Sequence, residues 1–300
     1  MDSEVAGATR THAAPANPRL APVAWVALFL APVGIYWRLF KGSPIPTWAA
    51  VAGLVVLVAY VGAAFRAESA RPLRTFLATV VALGAGSLAL LFIERTTVWT
   101  EWAARTSYPK VIFADSALEA IPCLLMAAVL LASGLRRRDM YVDVGNLRAS
   151  AGLPFTERRI SWSWLGIVGT ILFAGPLALQ LTTTVHPDIR TAGWALAALP
   201  AALAFGAFNA AQEEFRFRAG FLATLVPAVG SRQAVLMTSA LFGFAHWYGH
   251  PSGPVGVGMA FLAGFVLARS MLETRGSGWA WFMHAVQDVV IFAFLVMAAH

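Results

Sequence analysis

Three groups of ionisable side chains interrupt the otherwise apolar C-terminal third of this 300-residue chain. Glu213 and Glu214 stand together, His246 follows alone, and His284 comes four residues before Asp288. Polar side chains within membrane spans are rare, usually face the bundle interior and indicate a functional site. A carboxylate and two imidazoles can activate water, because the carboxylate accepts its proton while a neighbouring donor stabilises the oxyanion. The sequence therefore predicts a hydrolytic site.

Helical spacing divides the first group into two roles. Glu214 and Arg218 are four residues apart with the glutamate first, which is the favoured order for an ion pair on one helix face. Glu213 points about 100° away from Glu214 and shares a face with Asn209. We predict that Glu214 and Arg218 are structural and that Glu213 is the working carboxylate. Arg216 is also spaced to pair with Glu213, and all four charges could instead form one structural network.

The second and third groups each contain a histidine with a helical partner. Phe242 lies one turn before His246 and is predicted to pack beneath its ring as structural support. His284 and Asp288 share a face, which suits a carboxylate that orients an imidazole or a pair that shares a water or a metal. The simpler alternatives are a core histidine at 246 and a hydrogen-bonded pair that joins two helices.

A metal site is the other chemistry that these residue types allow. A glutamate, two histidines and a water form a catalytic zinc set, for which Glu213, His246 and His284 are the candidate ligands. Two further carboxylates, Asp115 and Glu119, open the fourth predicted span and are expected at the membrane interface, with an accessory role in substrate entry as the alternative.

Composition indicates a polytopic membrane protein. Hydrophobic residues make up 59% of the chain and charged residues 12%, whereas soluble domains have about 45–50% and about 25%. The net charge of +7 resides mainly between hydrophobic runs, where basic residues set topology, so no nucleic-acid partner is predicted. The single cysteine, Cys123, excludes an internal disulfide framework.

The hydrophobic runs predict an all-α transmembrane bundle of about eight or nine helices. The sixth run is too long for one simple crossing and is expected to tilt, protrude or break near the glutamates. We predict a disordered tail over residues 1–20, about five spans over 21–192 and a catalytic four-helix core over 193–300. The nine candidate spans are 22–40, 46–65, 73–93, 112–134, 162–182, 193–227, 232–249, 255–272 and 279–299.

The longest loop sets the expected orientation. Residues 135–161 contain six arginines against three acidic residues, which favours the cytoplasmic side. With nine spans the N-terminus is then also cytoplasmic. We expect an integral protein of the bacterial plasma membrane.

Three motifs in order resemble those of a known family. The chain contains E-E-x-x-x-R from Glu213 to Arg218, F-x-x-x-H from Phe242 to His246, and H-x-x-x-D from His284. This order on successive membrane helices resembles the CAAX-processing and bacteriocin-processing (CPBP) intramembrane proteases. The resemblance covers about residues 193–299.

The resemblance implies an α-helical intramembrane endopeptidase. It assigns Glu213 as the catalytic glutamate, His246 as its partner in activating water, and His284 with the residue at 288 as the oxyanion-stabilising pair. Glu214 and Arg218 match its supporting residues. It leaves open whether the enzyme is a glutamic endopeptidase or a metalloprotease with zinc.

Asp288 departs from the prenyl-protein proteases of that family, which carry asparagine at this position. An asparagine donates through its amide, whereas an ionised aspartate only accepts. Asp288 can therefore stabilise an oxyanion only when protonated, and otherwise orients His284 or binds a metal. Aspartate also occurs here in bacterial relatives, so the resemblance holds while a prenylated substrate does not follow from it.

The predicted function is hydrolysis of a peptide bond in a membrane-associated protein or peptide, with water entering through a polar cavity. The expected partners are that substrate and the lipid bilayer. One alternative is a non-catalytic bacteriocin-immunity protein or membrane-peptide-binding scaffold, which a bundle too tight for water would favour. Another is a proton- or ion-coupled transporter, which internal duplication would favour, and the sequence has no visible repeat.

Overall fold

The computed structural model describes residues 16–152, 159–249 and 252–299. Within these ranges the chain is almost entirely helical, which confirms the predicted all-α bundle. The one sheet is a hairpin in which β1 (Ser150–Gly152) pairs antiparallel with β2 (Arg159–Ser161). The helices are α1 (Ala21–Leu30), α2 (Val33–Lys41), α3 (Thr47–Arg66), α4 (Arg74–Glu94), α5 (Thr97–Ala104), α6 (Tyr108–Leu118), α7 (Ala120–Ala132), α8 (Trp162–Thr184), α9 (Ala192–Ala197), α10 (Leu199–Glu214), α11 (Gly220–Val229), α12 (Ser231–Ala245), α13 (Gly253–Thr274) and α14 (Gly278–Ala298).

The number of membrane spans is slightly smaller than the sequence suggested. In the described residues, six helices are long and apolar enough to cross a membrane, or up to eight if each of two bent helix pairs is one span. A count of eight lies within this range and a count of nine lies outside it. The predicted seventh span, 232–249, is not among them, because α12 has 15 residues and a short 3-10 turn, His246–Tyr248, follows it.

The sixth predicted span breaks in a different place from the one expected. Helices α9 and α10 meet at 71° on either side of Ala198, and Pro200 follows in the first turn of α10. Proline has no N–H with which to continue the helical ladder, so the chain turns before it. At the glutamates the helix continues, but through a π-helical turn, Phe215–Ala219.

The packed part of the chain begins within the predicted N-terminal tail. Residues 1–15 lie outside the described residues, but Pro18–Leu20 forms a 3-10 turn and Leu20 is buried. The backbone N–H of Asn17 donates to the carbonyl of Ala228 at 2.9 Å. This hydrogen bond fixes the start of the described chain to α11, so the boundary at residue 20 is displaced.

Two glycines allow the helices that carry the motifs to approach closely. A Cβ built on Gly206 of α10 would lie 2.6 Å from the carbonyl oxygen of Ala285 on α14. A Cβ on Gly243 of α12 would lie 2.8 Å from the carbonyl oxygen of Val257 on α13. Small residues at such contacts let helix backbones come together. The α10–α14 and α12–α13 pairs therefore depend on glycine.

We expect Gly206→Ala to destabilise the protein, because the added methyl group meets a backbone oxygen that no rotamer change can remove. Overpacking of this kind costs about 1–3 kcal/mol. Thermal unfolding in detergent is measured with a thiol-reactive fluorogenic dye, since Cys123 is the sole cysteine and is buried. The matched control is Gly62→Ala, whose Cβ meets no atom within 4 Å. An unchanged midpoint for Gly206→Ala would show that the helices can separate freely.

Candidate active site

The π-helical turn Phe215–Ala219 sends two arginines to different partners. It follows directly after Glu213 and Glu214, and it contains Arg216 and Arg218. Single π turns inside helices are rare and often lie at functional sites. Arg218 forms an ion pair with Glu214, whereas Arg216 reaches Glu119. The turn thus separates charges that are close in sequence.

Glu214 and Arg218 form the ion pair that their spacing predicts. The side chain of Arg218 is fully buried and that of Glu214 is 2% exposed. The guanidinium carbon lies 3.9 Å from the centre of the Phe242 ring, a cation–π geometry. Glu214 Oε1 also lies 2.6 Å from Nδ1 of His284. This buried ion pair thereby fixes the ring of His284 on α14.

The other nitrogen of His284 faces two more carboxylates. Nε2 is 3.6 Å from Oε2 of Glu213 and 3.7 Å from Oδ1 of Asp288. The first of these belongs to α10, whereas the second lies one turn further along α14. His284 Nε2 is therefore the point at which the first and third sequence motifs meet.

Glu213 differs from its neighbour in its access to space. Its side chain is 15% exposed, against 2% for Glu214. It lines a cavity of about 580 Å³ together with His246, His284 and Asp288. A water molecule in this cavity can reach Glu213, whereas Glu214 is enclosed by protein. The geometry separates the two glutamates in the way that helical spacing suggested.

His246 lies at the C-terminus of α12, where its ring is held by the preceding turn. Nδ1 is 2.9 Å from the carbonyl oxygen of Phe242. A carbonyl only accepts, so Nδ1 carries the hydrogen and Nε2 of the neutral ring is left as an acceptor. The Phe242 ring centre lies 4.3 Å from that of His246 and 5.6 Å from that of His284. Phe242 therefore packs against both imidazoles.

Glu119 forms an ion pair with an arginine of the first motif region. Its Oε2 accepts from Arg216 Nη2 at 3.0 Å, and the same nitrogen is 3.7 Å from Glu213 Oε1. Glu119 stands at the junction of α6 and α7, where the change of helix turns it toward α10. Asp115 lines the same cavity. The ion pair links Glu119 to the predicted site, and its position at the membrane interface stays a prediction.

A buried amide network joins α6, α10 and α14. Asn209 Nδ2 donates to Asp288 Oδ2 at 3.1 Å. Asn209 Oδ1 accepts from Ser116 Oγ at 2.7 Å and from Gln212 Nε2 at 3.0 Å. The sequence identified Asn209 only by its face and did not single out Ser116 or Gln212. Their positions beside Asp115 and Glu213 were the available signal.

A second, apolar cavity reaches the same residues from another side. It measures about 240 Å³ and borders His246, His284 and Asp288. Its remaining walls come mainly from apolar residues of α8 and α13, such as Phe173 and Leu262. The motif residues thus stand between a polar space and an apolar one.

The region that contains the four predicted catalytic residues matches one known protein family. Residues 193–290 match the family model described as type II CAAX prenyl endopeptidase Rce1-like. This region is similar to the Rce1-like family. The match confirms the resemblance to the CPBP proteases and covers about a third of the chain. No curated protein and no solved structure matches significantly.

The Rce1-like match supports a protease kind of enzyme in an integral membrane protein. The matched segment contains all four predicted catalytic residues, Glu213, His246, His284 and Asp288. Helices α1 to α8 lie outside it. Within this region the structure brings the first and third motifs to one histidine and the second to the same cavity.

The candidate zinc ligands were sought as a group among the described side chains. Across the three described ranges, no group of three or more His, Cys, Asp or Glu side chains is arranged to hold a metal ion. The zinc set considered from sequence, Glu213, His246 and His284, has no such arrangement. We therefore consider hydrolysis by a water that protein side chains activate.

Proposed function

We propose that this protein is an intramembrane endopeptidase that hydrolyses a peptide bond of a membrane-associated protein or peptide. The observation that carries the proposal is that Glu213, His246, His284 and Asp288 line one cavity of about 580 Å³. Water is both the reactant and the group to be activated, so such a cavity is a requirement of the reaction. The family match supplies the reaction class.

Glu213 acts as the general base in the proposed mechanism. A water held between Glu213 and Nε2 of His246 loses its proton to Glu213 as its oxygen attacks the carbonyl carbon. His284 is protonated in this scheme, because its Nδ1–H donates to Glu214 and its Nε2 must also carry a hydrogen. The carbonyl oxygen then carries the negative charge, and the Nε2–H of His284 stabilises it. Glu213 returns the proton to the leaving amine as the carbon–nitrogen bond breaks. The products are a carboxylate and an amine.

Asp288 lies beside His284 in this scheme. Its Oδ1 lies 3.7 Å from His284 Nε2, and its Oδ2 is held by Asn209. Glu214 holds the opposite ring nitrogen. Glu214 thereby fixes the ring through Nδ1, while the 3.7 Å to Asp288 is too long for a hydrogen bond and leaves the Nε2–H free to point at the reacting carbonyl.

The apolar cavity supports a substrate with an apolar group beside the scissile bond. Phe173 and Leu262 contribute to a wall that offers contact to a hydrocarbon group but few hydrogen bonds. We propose that residues 193–300 form the catalytic core. Residues 21–192 add Glu119 and Ser116 to its polar side and α8 to its apolar side.

The non-catalytic scaffold is disfavoured by the size of the polar cavity. A single buried water needs on the order of 10–15 Å³ of such volume, far less than the space of about 580 Å³ beside Glu213. The cavity has room for water, which supports the protease over the scaffold.

We propose a bacterial plasma-membrane location with a cytoplasmic N-terminus. Four predicted spans separate the N-terminus from the arginine-rich loop 135–161. An even number of crossings places the N-terminus and this loop on the same side of the membrane. The loop's arginines favour the cytoplasm. A reporter that fluoresces only in the cytoplasm, fused to the N-terminus, tests the orientation, and a dark fusion would reverse it.

Cleavage is tested with two fluorophore–quencher peptides that end in Cys-aliphatic-aliphatic-X, one farnesylated and one unmodified. The purified protein in liposomes is expected to release a C-terminal fragment, identified by mass spectrometry. The pair also reveals whether the apolar cavity uses the lipid group. Failure to cleave either peptide, together with no new termini in a membrane-protein mixture, would overturn the proposed activity.

We expect proteolysis to survive metal chelation, because the described site lacks a metal-binding group of side chains. Initial rates are measured after dialysis against EDTA and against 1,10-phenanthroline. A zinc protease treated in parallel is the control and should lose its activity. Loss of cleavage that added Zn²⁺ restores would instead assign a metal-dependent mechanism.

A further inference from the structure

The proposed reaction needs more hydrogen-bond donors at its oxyanion than the motif residues supply. Glu213 and an ionised Asp288 only accept. His246 Nδ1 is occupied by the carbonyl of Phe242. This leaves the single N–H at His284 Nε2, whereas oxyanion sites gain their effect from several preorganised donors.

The orientation of Asn209 is fixed by its neighbours. Its Oδ1 accepts two hydrogen bonds, from Ser116 Oγ and from Gln212 Nε2. Its amide nitrogen must therefore face the opposite way, where Asp288 Oδ2 lies at 3.1 Å. The direction of the NH₂ group follows from Gln212, whose Nε2 also donates to the Glu119 carboxylate at 3.1 Å and can therefore only donate to Asn209.

Asn209 and His284 converge on the same carboxylate. Asp288 Oδ2 accepts from Asn209 Nδ2, and Asp288 Oδ1 faces His284 Nε2. Each nitrogen therefore approaches a different oxygen of the same carboxylate. The amide also has a second N–H, for which the described ranges contain no acceptor at hydrogen-bond distance. Asn209 lines the cavity that holds Glu213.

Arg216 is a charged donor at this cavity, but it lies on another side of Glu213. Its Nη2 approaches Glu213 Oε1, whereas His284 approaches Oε2. Its nearest partner is Glu119, at 3.0 Å. Arg216 is thus directed toward α6 and α7, away from the nitrogen of His284 with which a second oxyanion donor must act.

We propose that Asn209 is a catalytic residue whose side-chain amide donates to the oxyanion together with His284 Nε2. The inference rests on the proposed endopeptidase function. One N–H of Asn209 holds Asp288, and the other meets the developing charge. Asp288 then accepts from Asn209 and orients its amide, while its other oxygen lies beside His284 Nε2 without accepting from it.

The test exchanges the amide and the carboxylate between α10 and α14. Asn209→Asp removes both N–H donors at constant shape and is expected to lower kcat on the peptide probes about 10²–10³-fold, with a smaller change in KM. Because this variant places two carboxylates together, the double variant Asn209→Asp/Asp288→Asn is made as well. It restores one amide and one carboxylate to the same pair of positions and is expected to recover most of the lost kcat.

Ser116→Ala is the matched control for a purely structural role. It removes a hydrogen bond to Asn209 Oδ1 but leaves both N–H donors, so its kcat should fall much less than that of Asn209→Asp. Wild-type kcat in folded Asn209→Asp, or a folded double variant as slow as Asn209→Asp, would overturn the assignment of Asn209. Wild-type protein that cleaves neither probe would instead sink the endopeptidase function, and the inference with it.

Discussion

Glu213→Gln is expected to abolish cleavage of the peptide probes while the protein remains folded. The amide cannot accept a proton from water, and general-base catalysis contributes about 10²–10⁴ in rate. Among the described residues, the ion-pair contacts of Glu213 are long, at 3.7 Å to Arg216 and 3.6 Å to His284. Glutamine fills the same volume, so we expect little change in stability. Initial rates in liposomes and the labelling of Cys123 on heating measure the two quantities.

Glu101→Gln is the matched control for the loss of one glutamate charge. Its side chain is 67% exposed and makes one surface ion pair, so both rate and stability should match the wild type. A Glu213→Gln protein that cleaves the probes at the wild-type rate would remove Glu213 from the mechanism. A Glu213→Gln protein that unfolds at a clearly lower temperature than the wild type would indicate that Glu213 has a structural role.

Arg218→Met is expected to cause the largest loss of stability in the bundle. Arg218 is fully buried against Glu214, and removal of one partner leaves an uncompensated buried charge, at a cost of about 3–5 kcal/mol. The double variant Glu214→Gln/Arg218→Met removes both charges and keeps an oxygen that can accept from His284. We expect it to be more stable than Arg218→Met alone, as measured by the temperature at which Cys123 becomes reactive.

Arg105→Met supplies the comparison at the surface. Arg105 pairs with Glu101 at the same i,i+4 spacing, but the two side chains are 81% and 67% exposed. Exposed pairs contribute about 0–1 kcal/mol, so this variant should unfold close to the wild type. Equal midpoints for Arg218→Met and the wild type would contradict the bracing role of the buried pair.

Contacts within one helix were predictable from the sequence because helical geometry fixes them. The pair of Glu214 and Arg218, the packing of Phe242 on His246, and the approach of Asp288 to His284 all follow from a spacing of four residues. The helices themselves followed from runs of apolar residues, with the membrane thickness setting their length. The motifs then indicated the family that the comparison supports.

Contacts between helices were not predictable in the same way. The bonds of Glu214 to His284, Arg216 to Glu119 and Asn209 to Asp288 depend on how helices rotate and how closely they approach. Sequence spacing carries no information on either. The close approach at Gly206 was visible only once its neighbour on α14 was known.

The sixth predicted span shows where sequence-based prediction of helix breaks failed. Pro200 was a visible helix breaker, but the charges drew the expected break toward the glutamates. The π-helical turn that replaces a break there has no sequence signature of its own. It is nevertheless the local feature that allows Arg216 and Arg218 to serve different partners.

The most direct test of the account compares protein termini in membranes of isogenic cells that encode wild-type protein or Glu213→Gln. Both membranes are digested and the new termini are identified by mass spectrometry, with equal amounts of the two proteins verified. We predict termini from cleaved membrane-associated proteins or peptides that are present with the wild type and missing with Glu213→Gln. Identical sets of termini would contradict the claim that Glu213 activates water for peptide-bond hydrolysis.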